Sequence, residues 1–418
     1  MRVLIEPNDI QGDIKAIASK SDAHRAIICA ALADKKTNIY ISEMSEDIKA
    51  TLNCMSAFGA KFSENGKEFT IEPVKKALSD VLIDCNESGS TLRFLLPVAA
   101  ALGNGARFIG KGRLPNRPIG IIVNLLKEHG ISFDSETLPL SMNGKLTPGE
   151  FKIEGNVSSQ FISGLLFALP LLDKPSKITL LSALESKAYV DMTISVLNKF
   201  GAEIKAVEDG FLVQPIERYV SPDNYTVEGD WSNAAFFLVG AALAGNVNMS
   251  GLDIGSKQSD TKIVDILKHA GVKVTPKDNI LTVTKSDIKP FELDVSQCPD
   301  LFPIAAVLAC GANGKTTLYN AGRLRIKESD RIVSTRELIL GLGGKVLEEE
   351  DSLTVFGDGR LSGGMVDSVN DHRIAMSASI ASCICEKSVT LNDAQAVNKS
   401  YPDFYKDFES LGGKVHVI

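Results

Sequence analysis

An apolar, helix-like segment that stops at a glycine recurs six times along the chain. The glycines are Gly59, Gly130, Gly201, Gly271, Gly343 and Gly412, separated by 71, 71, 70, 72 and 69 residues. The copies read MSAFGAKF, LKEHGISF, LNKFGAEI, LKHAGVKV, LGLGGKVL and ESLGGKVH. Glycine just past a helix takes the left-handed backbone that ends it, and a strand-like run follows. A second series of small-residue, nearly all-apolar segments starts at Ser21, Ser90, Ser159, Ser232, Asp300 and Asp371, at intervals of 69, 69, 73, 68 and 71 residues. Two series in step mean one folding unit copied six times. A helix that is apolar on every side is buried, whereas a stripe such as Ile263, Val264, Ile266, Leu267 and Ala270 marks an outer helix. Each copy therefore predicts one inner helix, one outer helix and a few strands.

A chain of 418 residues exceeds one ordinary core, and six copies divide most simply into two domains of three. The Pro-, Asn- and Asp-rich stretch QPIERYVSPDNYTVEGDWSN places a crossing near Asp230. We expect one domain over 20–229 and another over 1–19 with 230–418, the leading strand completing the sixth copy. The net charge of −7 argues against a nucleic-acid field. Seven cysteines without CxxC spacing, and only five histidines, argue against a metal site or a disulfide framework. These thiols suit a reducing cytoplasm. MRVLIEPND opens as a strand rather than a signal peptide, and FISGLLFALPLLD is too short to span a bilayer.

The inner-helix starts carry the chemistry. Ser and Asp cap helices well, and capping alone accounts for them one at a time. It does not account for the cations. Lys or Arg in a first helical turn opposes the helix dipole, at about 0.3–1 kcal/mol each, unless an anion sits there. Lys20, Arg25, Arg93 and Arg373 all lie near such starts, which predicts anion sites. Four further clusters stand before outer helices. Arg323 to Arg331 packs Arg323, Arg325, Lys327, Glu328, Asp330 and Arg331 into one run, and Leu324 and Ile326 suggest strand-like alternation. The loop Gly110 to Gly120 holds Arg117 ahead of Pro118 at a helix N1 position, where a guanidinium can clamp a carboxylate or phosphate. The segments around Ser186, Lys187 and Tyr189, and around Lys399, repeat the theme. ACGANGKTT only mimics a phosphate loop. It lacks the first glycine and follows a helix instead of a strand.

SKSDAHRA, ESGSTLRF, RPIG, SSQF, ESKAYVD, PDLFP, RIKESDR, NDHRIAM and NKSYPDF occur in this order from end to end. With them the chain resembles the EPSP synthases of the enolpyruvyl transferase family. The resemblance implies an α/β fold of two inside-out domains, each of three βαβαββ units, closing on ligands between them. It implies transfer of the enolpyruvyl group of phosphoenolpyruvate to the 5-hydroxyl of shikimate 3-phosphate, with neither metal nor organic cofactor, in a monomer. Carried over residue by residue, Lys20, Ser21, Arg25, Ser158, Ser159, Gln160, Ser186, Tyr189, Asp300 and Lys327 would meet shikimate 3-phosphate. Lys20, Gly89, Arg117, Gln160, Arg331, Arg373 and Lys399 would meet phosphoenolpyruvate. Asp300, Lys327 and Glu328 would sit at the reacting centre. Glu87 and Arg323 stand where many members have Asn, and Ser90 where many have Thr.

That chemistry fits the residue types. Two phosphates and two carboxylates must be brought together, so several cations must offset their repulsion. The 5-hydroxyl needs a base, for which Asp300 is the candidate. The enol methylene needs an acid, for which Glu328 or Lys327 is the candidate. Two rivals are weighed. An enzyme acting on UDP-N-acetylglucosamine would want a reactive Cys in the 110–120 loop, which has none. A non-catalytic anion-binding repeat protein would not place carboxylates among its cations.

Overall fold

The computed structural model describes all 418 residues. Twelve helices alternate with strands: α1 (Lys20–Ala31), α2 (Glu46–Ala57), α3 (Gly89–Leu102), α4 (Gly120–Glu128), α5 (Ser159–Ala168), α6 (Lys187–Lys199), α7 (Trp231–Ala244), α8 (Ile263–His269), α9 (Phe302–Cys310), α10 (Arg331–Gly341), α11 (His372–Ala381) and α12 (Phe404–Ser410). The odd-numbered helices are the inner ones. All fourteen residues of α7 and all nine of α9 are buried, whereas the outer α8 buries only Ile263, Ile266 and Leu267. Each even-numbered helix is followed by its glycine, and the six φ angles lie between +78° and +111°. A side chain there would be strained.

The strands form six four-stranded sheets, one per copy. In the second copy Val81–Asp84 pairs in parallel with Ala106–Ile109, and Leu140–Gly144 and Ile131–Phe133 extend the sheet antiparallel. Chain order through that copy is βαβαββ. The parallel step is the crossover over an inner helix, and the antiparallel hairpin follows the outer one.

Two compact units result, one of Met1–Ile17 with Glu228–Ile418 and one of Ala18–Val227. The division falls two residues ahead of the expected positions at each crossing, and hydrogen bonds explain why. The Ala18 amide donates to Ser42 Oγ at 2.6 Å, and Val227 N donates to Tyr40 O at 3.1 Å, so both residues belong to the second unit. Asp230 N instead donates to Ile17 O at 2.8 Å within the first.

Each unit closes on itself by borrowing strands from a distant part of the chain. Asn224–Thr226 pairs in parallel with Thr37–Tyr40 and completes the first copy's sheet. Ile10–Lys15 does the same for the fourth copy against Gly245–Ser250. Val3–Ile5 sits between Val389–Asn392 and Val415–Val417 in the sixth. Each unit has its own hydrophobic core. No helix is long and apolar enough to cross a membrane.

Two local expectations need correction. Gly322–Ile326 is a 3₁₀ turn rather than a strand. Its Arg325 is taken up by Asp330 and Glu348, at 3.1 and 3.0 Å, so local ion pairing overrides the apolar alternation. The helix α4 begins at Gly120, so Pro118 lies outside its first turn, and Arg117 is extended after a 3₁₀ turn at Leu114–Asn116. The phosphate-loop mimic is a helix end followed by the strand Asn313–Tyr319.

Candidate active site

In the unit Ala18–Val227 the three inner helices all start on serine. Ser19, Ser88 and Ser158 accept from the amides of Asp22, Thr91 and Gln160, each at 3.3 Å. A neutral cap satisfies one amide but adds no negative charge, so at α3 and α5, whose first turns hold no acidic residue, the positive end of the helix dipole stays uncompensated, while at α1 Asp22 offsets part of it. Cations are then added to it. Arg25 is 2% exposed, and its guanidinium donates to Thr193 Oγ1 at 2.8 Å, Ser21 O at 2.7 Å and Tyr189 O at 2.9 Å. Its partners are a hydroxyl and two carbonyls, none of them a carboxylate. Burial holds this guanidinium down to about 10. Lys20 begins α1 and its Nζ lies 2.9 Å from Asp47.

A second cationic group assembles around Gly89. Arg93 Nη1 donates to Gln160 Oε1 at 3.1 Å, and Gln160 Nε2 donates to Ser90 Oγ at 2.8 Å, so α3 and α5 are tied at their starts. A Cβ on Gly89 would collide with the Arg117 guanidinium and stand 2.7 Å from Arg93 Nη1. Only glycine lets both guanidiniums lie against this backbone. Ser159 is the buried first residue of α5. Ser186 is held at φ +51° before α6, where a non-glycine residue is strained, and its hydroxyl does not cap that helix. This unit therefore brings Lys20, Ser21, Arg25 and Tyr189 into one neighbourhood through Arg25 and α1, and Gly89, Arg117 and Gln160 into another.

The other unit handles the same helix starts differently. Asp230 caps α7 and Asp371 caps α11, both with carboxylates. Asp300 was expected to begin an inner helix, but it lies in a 3₁₀ turn at Pro299–Leu301, and the cap position of α9 falls to Leu301. Its Oδ1 accepts from Arg331 Nη1 and its Oδ2 from Arg373 Nη2, each at 2.8 Å. Arg331 is 1% exposed and also donates to Asp371 Oδ2 at 2.9 Å and Glu328 Oε2 at 2.7 Å. Arg373 reaches Ser232 Oγ at 3.1 Å. Lys399 is buried, with Nζ 2.6 Å from Asn370 O, one residue before Asp371.

Charge in this cluster is nearly balanced, and that sets its acidity. Burial by itself would raise the Asp300 pKa, but Arg373, Arg331 and Lys327 outweigh it and hold the carboxyl far below its ordinary range. Burial lowers Lys327 to about 8; Asp300 and Glu328 oppose the shift while Arg331 and Arg323 add to it. Arg331 is raised, because Asp371, Glu328 and Asp300 overcome the effect of burial. Asp371 is the residue whose role the sequence did not disclose. It reads there as one more helix cap, yet it anchors Arg331 from forty residues away.

The family model for EPSP synthase (3-phosphoshikimate 1-carboxyvinyltransferase) matches residues 4–408. The chain is 45% identical over 423 residues to the 3-phosphoshikimate 1-carboxyvinyltransferase of Clostridium acetobutylicum, covering 99% of this chain and 98% of that one. It is 43% identical over 424 residues to the protein of the same name from Clostridium novyi, covering 98% and 97%. Among solved structures, EPSP synthase from Acinetobacter baumannii superposes with a TM-score of 0.83 at 26% identity, over the whole of both chains. The enolpyruvyl transferase NikO from Streptomyces tendae shares the fold, with a TM-score of 0.82 at 17% identity over 99% and 98% of the two chains. With a full-length family match and relatives at this identity, the chain belongs to the EPSP synthase family.

Proposed function

We propose that this protein transfers the enolpyruvyl group of phosphoenolpyruvate to the 5-hydroxyl of shikimate 3-phosphate, releasing phosphate. The observation that carries the chemistry is Asp300 clasped by two buried arginines, with Lys327 and Glu328 beside it. Recognition of shikimate 3-phosphate falls to Lys20, Ser21, Arg25, Ser158, Ser159, Gln160, Ser186 and Tyr189, with Asp300 and Lys327 at the reacting hydroxyl. Phosphoenolpyruvate falls to Lys20, Gly89, Arg117, Gln160, Arg331, Arg373 and Lys399.

The acidity of Asp300 suggests how the reaction is timed. While both its oxygens accept arginine N–H groups, Asp300 is a poor base. A phosphoenolpyruvate carboxylate or phosphate that takes up Arg331 and Arg373 relieves Asp300 of its counter-charges and restores its basicity. Asp300 then accepts the 5-hydroxyl proton as the oxygen bonds to the central carbon of phosphoenolpyruvate, and Glu328 or Lys327 protonates the methylene carbon. Elimination returns that proton and expels phosphate. A base that strengthens only when its partner substrate is bound protects against futile chemistry.

Phosphate release from phosphoenolpyruvate tests the reading. It should require shikimate 3-phosphate and should not be supported by UDP-N-acetylglucosamine. Release with the nucleotide sugar alone would move the chain to that sister activity, and release with neither would leave an anion-binding protein. We also assign a monomer working in the cytoplasm, which sheets completed by strands of the same chain and seven unpaired thiols, six of them buried, support. Elution at more than the mass of one chain would overturn the monomer.

A further inference from the structure

The sequence places His24 between Lys20 and Arg25, and no role in recognition or proton transfer falls to it. It is 1% exposed on α1. Its Nδ1 lies 2.7 Å from Thr51 Oγ1 on α2, and Thr51 Oγ1 lies 2.7 Å from Thr91 Oγ1 on α3. Thr91 Oγ1 donates to Ser88 Oγ at 2.7 Å, and Ser88 is the cap of α3. The chain of four side chains runs from the cationic start of α1 to the residue preceding Gly89.

Counting protons gives the chain a direction. Each hydroxyl has one hydrogen. That of Thr91 goes to Ser88, so Thr91 can only accept from Thr51. Thr51 has then committed its hydrogen and can only accept from His24. His24 must therefore carry its proton on Nδ1. Its Nε2 is left as a bare lone pair, and no hydrogen-bonding group lies within reach of it; the neighbouring Phe94 ring stands edge-on with centroids 6.5 Å apart. Burial, then Lys20 and Arg25, hold the imidazole well below its ordinary pKa, so the neutral ring is the resident form. The three hydroxyls have 0% exposure, so water does not compete for the bonds.

We propose that His24, Thr51, Thr91 and Ser88 form a one-way relay that positions the start of α3, and with it Gly89, for phosphoenolpyruvate. Gly89 is where a displaced backbone matters most, because the Arg117 and Arg93 guanidiniums lie against its α-carbon. The relay fixes that backbone relative to α1 and α2 without touching substrate. His24 and Thr51 are positioning residues. The proposal rests on the reading that Gly89 and Arg117 meet phosphoenolpyruvate.

Two measurements test it. Nitrogen-15 NMR of the intact protein near neutral pH should show His24 protonated at Nδ1 and bare at Nε2; the opposite tautomer or a charged ring would overturn the relay. In steady-state assays, Thr51→Val should raise KM for phosphoenolpyruvate by about five- to tenfold, the worth of one buried hydrogen bond, and leave kcat and shikimate 3-phosphate affinity little changed. Thr51→Ser, which keeps the hydroxyl, should restore KM. If Thr51→Val fails to fold, His24→Asn, with an N–H where Nδ1 stood, should keep a parental KM while His24→Leu raises it. Equal effects on both substrates, or no rescue by Ser or Asn, would reduce these residues to core packing and overturn the positioning role. An inactive parent chain would sink the functional reading and the positioning role with it, while the tautomer would still decide the relay itself.

Discussion

The two units repeat one topology three times each, yet they treat the starts of their inner helices in opposite ways. In Ala18–Val227 the caps are Ser19, Ser88 and Ser158, all neutral, and buried arginines meet mostly carbonyls, amides and hydroxyls. In the other unit the caps at α7 and α11 are Asp230 and Asp371, and Arg331 meets three carboxylates. The same scaffold thus sets buried cations at neutral-capped helix starts in one unit and a nearly charge-balanced cluster of carboxylates and cations in the other. The first is suited to holding phosphate groups, the second to moving protons among groups whose acidities are pushed apart. Repetition sets where the helix starts lie, and the choice of Ser or Asp at the cap sets what each start does.

The largest expected effect separates the two roles. Asp300→Asn keeps the shape but leaves one accepting oxygen where two arginines donate, and it cannot take the 5-hydroxyl proton, so turnover at saturation should fall by ~10²–10⁴-fold. The fold should survive, because Arg331 retains Asp371 and Glu328. Near-normal turnover would shift the base to Glu328 or Lys327.

Cap chemistry itself is compared by stability. Asp371→Ala leaves the buried Arg331 short of its most enclosed partner and should cost about 3–5 kcal/mol in a urea melt. Ser158→Ala removes only a neutral cap and should cost about 1 kcal/mol. Equal costs would mean that the two kinds of helix start do not differ in kind.

Arg117→Ala should weaken phosphoenolpyruvate by about 1.5–3 kcal/mol, the worth of a charge-assisted clamp, with shikimate 3-phosphate far less affected in calorimetry. Comparable loss for both ligands would break the division of the cationic groups between them.

The smallest effect is a pH limb. Lys327 sits at about 8, so if its ammonium is the acid, kcat/KM should decline as pH rises past that value, and Lys327→Met should remove the limb. Stability runs the other way. Between about 8 and the ordinary lysine value of 10.5 the unfolded chain holds the extra proton, so the contribution of Lys327 to stability increases with pH across that window. A limb that persists in Lys327→Met would assign it elsewhere.

Much of this was legible from residue order alone. The six glycines, all at positive φ, and the six inner helices follow from local backbone preference and apolar patterning, which act over a few residues. The cations near helix starts were visible for the same reason. Asp300 as a partner of Arg331 and Arg373 was not, because those arginines lie 31 and 73 residues away. Nor was the direction of the bonds from His24 to Ser88, which joins α1, α2 and α3. Periodicity and capping are short-range physics and can be read along a line of residues. The acidity of Asp300, the burial of Arg331 and the tautomer of His24 depend on desolvation and on charges from other copies, and these exist only once the sheets close and water is excluded.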